Sequence, residues 1–356
     1  MLLLSIVLPT LNGGEILKES LPLLAEQVKR NRNDVELIVC DNASDDDTLK
    51  TLEDMRMRDP FFKIVHFDER KADIGDSIAR AAECGEGEYI HFWSDDDIPS
   101  PFMVDAIINA LRKYKDAGVV MMNRMRGFGN KFRPLLPLHG GILLDCNCEE
   151  NEIVFNSVED FIKRCFRYFG FLGAFVVRRS AYKKGMAYYD KENLGYQFQA
   201  PILCGLTDRK CIYLNYPLLI QRSVPGRYAP RWPLYLYIGY PRMCRTVERA
   251  GVVSNWRIMY DHYRFFDDLR DDFWRVIHLC IPNKELYLPY VDEMVSNQCD
   301  WRRRAILRLI RAPKWGVFIV RCFWWLFVTS PFGRFFCKFV QYFSVRLHIN
   351  KTCGPC

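Results

Sequence analysis

"GEYIHFWSDDD", residues 87–97, is a short apolar run that ends in three consecutive aspartates, Asp95, Asp96 and Asp97. The run Tyr89–Trp93 is apolar without a helical period, so it reads as a strand buried on both faces. Adjacent carboxylates repel one another and add nothing to a fold by themselves. Three uses remain open for them. They can bind a hard divalent cation, which takes oxygen ligands. They can accept hydrogen bonds from ribose hydroxyls. Or Asp97, like Ser100, can cap the helix expected from "PFMVDAIINAL". Capping needs one carboxylate; a magnesium or manganese ion bridging phosphate oxygens accounts for the excess.

Working outward, the first third of the chain alternates between two periods. "LLLSIVLP", "VELIVCD", "FKIVHF" and "EYIHFW" read as strands, and "ILKESLPLLAEQVKR", "DDDTLKTLEDMRMR" and "IGDSIARAAECG" as helices. Ile16, Leu17, Leu21, Leu24 and Val28 keep helical spacing, and the acidic start of the second helix suits the macrodipole. Continuously apolar strands alternating with helices mean an α/β fold, a mostly parallel sheet covered on both faces. Ligands of such sheets lie at the carboxyl ends of the strands. Three of those ends are polar here: Pro9–Asn12, Asp41–Ser44 and Ser94–Asp97. The sheet rule brings all three to one crevice. Further on, a helix from Pro101, a strand "GVVMMNRMRGF", a loop-like stretch over 127–152, a helix "VEDFIKRCFRYFG", a strand "FLGAFVVRR", an irregular stretch over 185–200, a helix "QAPILCGLTDRK" and a strand "CIYLNYPLLIQR" are expected. No internal repeat or low-complexity block interrupts the chain.

The 356 residues are 49% hydrophobic and 26% charged, which excludes wholesale disorder. The net charge of +7 is unevenly placed: residues 302–356 hold eleven Lys or Arg and no Asp or Glu, while the rest has 39 basic against 43 acidic residues. That tail is also rich in Phe and Trp. "RRRAILRLIR" sets Arg304, Arg308 and Arg311 opposite Ile306, Leu307, Leu309 and Ile310, and "FGRFFCKFVQYF" sets Arg334, Lys338 and Gln341 on one face. "WGVFIVRCFWWLFVTS" is apolar but contains Arg321 and is shorter than the ~20 residues a span requires. The tail is therefore expected to lie in the plane of a membrane surface, with packing on the protein's own core as the alternative. Nucleic acid is excluded as its partner because phosphate tracking does not need so much apolar surface. The fourteen cysteines are scattered, many in apolar segments, as in a reduced cytosolic protein. Cys146-x-Cys148 and Cys353-x-x-Cys356 lack His partners at zinc spacing. The N-terminal "MLLLSIVLPTLN" reads as a first strand, not a signal peptide, since it has no basic leader and no cleavage site.

Taken in order, "SIVLPTLN", "ELIVCDNASDDDT" and "GEYIHFWSDDD" resemble the family-two glycosyltransferases of the GT-A fold over residues 3–110. Residues 155–221 are similar, more loosely, to the acceptor half of abequosyltransferase-like members that act on bacterial surface polysaccharides. The resemblance implies a GT-A domain over 1–232, with a nucleotide-sugar-binding half (1–115) and an acceptor half (116–232), then a helical extension (233–301) and the basic aromatic tail (302–356). It implies that Pro9, Thr10 and Asn12 line the nucleotide pocket, that Asp41 hydrogen-bonds the base and that Asp73 sits near base and ribose. Asp95 would face ribose or diphosphate, Asp96 would bind the metal, and Asp97 stands next in line as metal ligand. In "IQRSVPGRYAPRW", Arg222 and Arg227 would clamp the diphosphate and Trp232 would stack on a sugar, in competition with a solvated loop.

Two positions depart from the family pattern. Asn42 stands where a second Asp is usual. The acidic pair that serves as general base falls at Gly195-Tyr196-Gln197, where no carboxylate stands; Glu192 and Asp190 just upstream are the candidates. His66, His91 and His139 carry no partner pattern and read as structural. The function implied is a metal-dependent, inverting hexosyl- or deoxyhexosyltransferase. It moves sugar from a nucleotide-sugar donor to a lipid-linked saccharide at the cytoplasmic face of the membrane. The alternatives are an inactive nucleotide-sugar-binding assembly subunit and a sugar-1-phosphate nucleotidyltransferase. "PTLNGGEILK", with only Lys18, lacks the basic glycine-rich loop the last would need.

Overall fold

The computed structural model describes residues 2–128, 131–134, 150–165, 171–206, 209–222, 230–257, 259–260 and 269–313. The chain divides into two compact units, 1–267 and 268–356. The first is built on a ten-stranded sheet in the order β3-β2-β1-β4-β9-β6-β10-β5, with β7 on β6 and β8 on β10. Its strands are β1 (Leu4–Thr10), β2 (Val35–Asp41), β3 (Lys63–His66), β4 (Tyr89–Phe92), β5 (Ile98–Pro99), β6 (Ala117–Phe128), β7 (Lys131–Pro134), β8 (Glu152–Phe155), β9 (Phe175–Arg178) and β10 (Lys210–Arg222). The first four are parallel, as their continuous apolar runs require. Leu4, Ile6, Val7 and Leu8 of β1 are buried, as are Leu37, Ile38 and Val39 of β2.

Helices α1 (Gly14–Arg30), α2 (Thr48–Arg58), α3 (Ile74–Glu83) and α4 (Met103–Lys113) cover this half. Helix α1 buries Leu17, Leu21, Leu24 and Val28, the stripe its spacing predicts, and ends in Lys29 and Arg30 where the dipole favours cations. Helices α5 (Val158–Cys165), α6 (Arg179–Gly185) and α7 (Gln199–Cys204) belong to the second half.

The mostly parallel α/β sheet is as expected, with β9 an exception within it, and two further expectations are corrected here. Strand β9 runs antiparallel to both β4 and β6, so the sheet is mixed at its centre. A strand buried on both faces carries no direction in its composition; direction is set by the route of the connection. Within the stretch read as a loop, residues 131–134 form β7 and pair with β6. The strand expected over "FLGAFVVRR" is cut to four residues by a 3-10 turn, Leu172–Ala174, which matters for the site.

The first unit continues past residue 232. A turn at Trp232–Leu234 runs through a π-helical turn, Tyr235–Gly239, into α9 (Tyr240–Arg249), counting the turn as α8. Tyr240, Met243, Cys244 and Val247 are buried in the same core as the sheet. In the second unit, short helices over Leu269–Arg275, Lys284–Tyr287, Val291–Ser296 and Trp301–Arg308 enclose Phe273 and Ile277, against which Ile281, Ile306, Leu309 and Ala312 pack. Asp300 caps the last of them through Arg302 N–H at 2.9 Å. Leu307 and Ile310 are fully buried. The apolar face of "RRRAILRLIR" is therefore turned onto protein, and the expected in-plane face is not available in that segment. Residues 314–356, with Arg321, Arg334, Lys338, Gln341 and the Cys353-x-x-Cys356 pair, lie outside the described residues, as do His139, Cys146 and Cys148. Among the described residues no helix is long and apolar enough to cross a membrane. The described cysteines are all free thiols, most of them buried.

Candidate active site

The parallel register sets Thr10, Asp41 and His66 side by side at the carboxyl ends of β1, β2 and β3. Beside them, β4 is prolonged by a bond from Trp93 N–H to the Val7 carbonyl at 2.9 Å, which delivers the chain to Ser94–Asp97. Strand β5 then anchors the far side of the aspartate turn on Leu219 and Ile220 of β10. So the three polar strand ends do meet, and hydrogen bonds join them: the Thr10 hydroxyl donates to Asp95 Oδ2 at 2.7 Å, and Asn42 N–H donates to the Thr10 carbonyl at 2.9 Å.

The three aspartates occupy different environments. Asp95 is buried against Thr10, and its carbonyl accepts from the Ser20 hydroxyl at 2.8 Å. Asp96 accepts from the Ser94 hydroxyl. Asp96 and Asp97 line a cavity of about 180 Å³ whose other walls include Phe171, Tyr196, Gln221, Trp232 and Tyr235. The capping alternative is answered by α1: the Val104 N–H of α4 donates to Gln27 Oε1 at 3.1 Å, and the residue preceding α4, Phe102, makes no side-chain cap. A helix capped from elsewhere leaves the carboxylates to other work.

The 3-10 turn packs against Asp97. A side-chain Cβ at Gly173 would lie 3.1 Å from Asp97 Oδ2, so glycine permits this approach. His91 holds the turn in place, with Nε2 bonded to the Gly173 carbonyl at 2.9 Å. The ring is fully buried, and burial pulls its pKa down to about 4. It is therefore neutral near pH 7 and donates from Nε2. The reading of His91 as structural holds, with a specific task attached.

The loops that shape the donor end are tied to one another. Asn12 and Ala43 both adopt left-handed backbone, with φ of 52° and 56°. Asn12 is exposed; its amide donates to Asp45 Oδ1 at 2.7 Å and its side-chain oxygen accepts from Asp45 N–H at 3.1 Å. Asn42 accepts from Lys71 N–H and donates to the Lys71 carbonyl, both at 2.9 Å, and also accepts from Arg80. This accounts for the departure from a second Asp: a carboxylate has no hydrogen to give the Lys71 carbonyl. Asp73 accepts from Gly75 N–H at 2.8 Å as the cap of α3, and from the Gln197 amide at 2.6 Å. Gln197, at the position where the family pattern puts an acid, thus fastens the acceptor half to α3.

Asp41 has no accessible surface. Its Oδ2 is 2.7 Å from His66 Nδ1, and its Oδ1 accepts from the Ser44 hydroxyl and from Ser44 N–H. His66 is 37% exposed. Its reading as merely structural missed this pairing, because nothing in the sequence relates residue 66 to residue 41; strand register does.

The proposed bases are not brought to the cavity. Glu192 is 73% exposed and pairs with Arg242 at 2.6 Å. Asp190 caps the turn Lys191–Asn193 and lies 3.8 Å from Arg249. Asp190 lines a separate surface depression with Arg242, Arg245 and Arg249, and Glu192 is held at Arg242. The helix α9 that carries those arginines packs on the 191–193 turn, a contact the linear sequence does not reveal. Trp232 does line the cavity, and the preceding Arg231 donates to the Ala72 carbonyl at 3.4 Å. The Arg222 side chain and all of Arg227 lie outside the described residues. A cation the sequence reading overlooked is Arg124 of β6, which bonds Gln221 at 3.1 Å and stacks 4.4 Å from the Phe171 ring, two residues of the cavity wall.

Pro9 lies partly exposed in β1, one residue before Thr10. As a donor set for a cation, Asp96 and Asp97 offer only oxygen. Among the described residues no cluster of three His, Cys, Asp or Glu forms a ready-made metal cage. Magnesium sites are commonly completed by one or two carboxylates and the substrate's own phosphates, so Asp96, which is partly exposed, fits such an ion, while the carboxylate oxygens of Asp97 are buried beside it.

The comparisons with known proteins agree with this geometry. Glycosyltransferase GlyG of Streptococcus pneumoniae serotype 4 is 28% identical over 121 residues, 34% of this chain and 38% of the relative. The match therefore spans well under half of that relative. In fold, the chain is similar to S. aureus TarS 1-349 in complex with UDP-GlcNAc, with a TM-score of 0.61, 13% identity and coverage of 87% of this chain and 88% of that one. It is also similar to the mannosyltransferase PcManGT from Pyrobaculum calidifontis in complex with GDP-Man and Mn2+, with a TM-score of 0.50, 13% identity and 87% of each chain covered. The sequence pattern of glycosyl transferase family 2 matches residues 5–186, just over half of the chain. With that pattern laid over a GT-A sheet whose polar strand ends converge, the chain belongs to glycosyl transferase family 2.

Proposed function

We propose that the protein transfers a sugar, with inversion, from a nucleotide-sugar donor to a lipid-linked saccharide in cell-surface polysaccharide synthesis, and that it needs a divalent cation to do so. The observation that carries the reading is the convergence of Thr10–Asp95, Asp41–His66 and the Asp96–Asp97 cavity wall at one end of the parallel strands. Pro9, Thr10 and Asn12 shape the nucleotide side, with Asp73 at the start of α3. Asp95, locked to Thr10, fixes the turn on which its neighbours stand. Arg222 and Arg227 belong to the segment that would clamp the diphosphate. Asp96, with Asp97 beside it, would hold magnesium or manganese, which when bound supplies positive charge for the departing nucleoside diphosphate. The aromatic wall, Phe171, Trp232 and Tyr235, suits the apolar face of a sugar ring and excludes water from it.

The test is turnover of a panel of UDP-, GDP-, CDP- and ADP-sugars with manganese and then with excess EDTA. At least one donor is expected to be hydrolysed or transferred, and EDTA to lower its rate by about 10²-fold or more. Equal turnover with and without chelator removes the metal from the proposal.

Residues 314–356 keep the basic, aromatic character that suits an anionic membrane surface, and attachment at the cytoplasmic face belongs to the same proposal. Because Leu307 and Ile310 are part of the second unit's core, the informative truncation ends at residue 313, not at 301. The full chain is expected to sediment with vesicles containing anionic lipid and the truncated chain to stay in the supernatant; equal sedimentation of both would end the attachment idea.

A further inference from the structure

We infer that His66, not Asp41, reads the nucleobase of the donor, and that Asp41 fixes the ring tautomer in which it does so. The inference rests on the donor-site reading above. The Asp41 carboxylate has no accessible surface, and both of its oxygens have partners inside the protein, His66 on one and Ser44 on the other. No edge of it is left toward a ligand. The adjacent residue in register, His66, ends the outermost strand of the sheet and is 37% exposed.

A carboxylate only accepts, so the bond to Asp41 Oδ2 places a hydrogen on His66 Nδ1. In the neutral ring Nε2 then carries the lone pair and acts as an acceptor. In that tautomer the acceptor that a carboxylate would offer a base is displaced outward by one imidazole. An acceptor here matches a base edge that presents a ring N–H beside a carbonyl: N3–H of uracil or thymine, or N1–H of guanine. Cytosine and adenine have no ring N–H on that edge. The donor class assigned is therefore a uridine-, thymidine- or guanosine-diphosphate sugar.

Affinities of UDP, GDP, CDP, ADP and inorganic pyrophosphate, each with manganese, measured by calorimetry on the full chain, test this. The wild type is expected to bind UDP or GDP at least about 10-fold more tightly than CDP and ADP, one good hydrogen bond's worth. His66→Ala should lose that preference, with pyrophosphate binding within about twofold of wild type. His66→Gln, whose amide keeps one donor and one acceptor in a plane, should restore most of it. The inference is overturned by a wild-type preference for CDP or ADP. It is equally overturned if His66→Ala keeps the preference while Asp41→Asn loses it, or if His66→Ala weakens pyrophosphate and nucleotide alike. A wild type that binds neither nucleotides nor pyrophosphate overturns the donor-site reading itself, and this inference with it.

Discussion

Replacing Asp96 with asparagine is expected to lower turnover of the preferred nucleotide sugar by about 10³-fold, roughly 4 kcal/mol of activation free energy. Asp96 lines the cavity, and its neighbour Asp95 is engaged with Thr10, so Asp96 is the carboxylate best placed for a cation that meets the diphosphate. Asparagine keeps the size and an acceptor oxygen but removes the negative charge. The loss should therefore appear in kcat and in manganese affinity, while the folding transition stays close to wild type. Glu192→Gln makes the contrast. Its carboxylate is exposed and pairs with Arg242, so turnover should stay within about threefold. If Glu192→Gln instead removes activity, the 190–193 turn must reach the reacting sugar and the base returns to that residue. If Asp96→Asn is active at wild-type manganese affinity, the cation is held elsewhere.

Acid is expected to weaken the fold through His91 well before most carboxylates titrate. The ring is buried without charge, with its pKa pulled down to about 4 by desolvation. In the unfolded chain the same ring takes up its proton near pH 6.5. Between these values the unfolded state binds more protons, so stability falls as pH falls. The contribution is intact above pH ~6.5, down by about 2 kcal/mol at pH 5, and down by about 3 kcal/mol once pH reaches ~4. Urea unfolding at pH 7 and pH 5 measures it. His91→Gln, which still has an N–H for the Gly173 carbonyl but cannot titrate, should flatten the change over that interval. An unchanged slope in the variant would show that other groups carry the acid sensitivity. The position of the ring links this to function, since Gly173 packs directly against Asp97, a residue of the cavity wall.

Much of the donor half was legible from residues alone. Continuous apolar strands alternating with helical periods leave few architectures, and the carboxyl-end rule turns three separated polar segments into one site. Thr10, Asp41 and Asp95–Asp97 were found in this way. The acceptor half was less legible for a physical reason. Its strands are equally apolar, but β9 is reached by a 3-10 turn and enters the sheet against its neighbours' direction, which composition does not encode. Glu192 and Asp190 looked available because a sequence shows charge without partners; α9 supplies those partners from some fifty residues away.

What the sequence by itself determined is the family, the parallel donor sheet and the loops that meet at its edge, because these follow from local periodicity and from a rule that holds for any such sheet. Only the tertiary structure decided which group does what within them. It buried Asp41 behind His66, divided Asp95 from Asp96 and Asp97, gave α4 its cap from Gln27, and set Gln197 on Asp73. Each of those outcomes depends on competition for hydrogen-bond partners between residues distant in the chain. That competition is settled only when the core has fixed which of them come within three ångströms of one another.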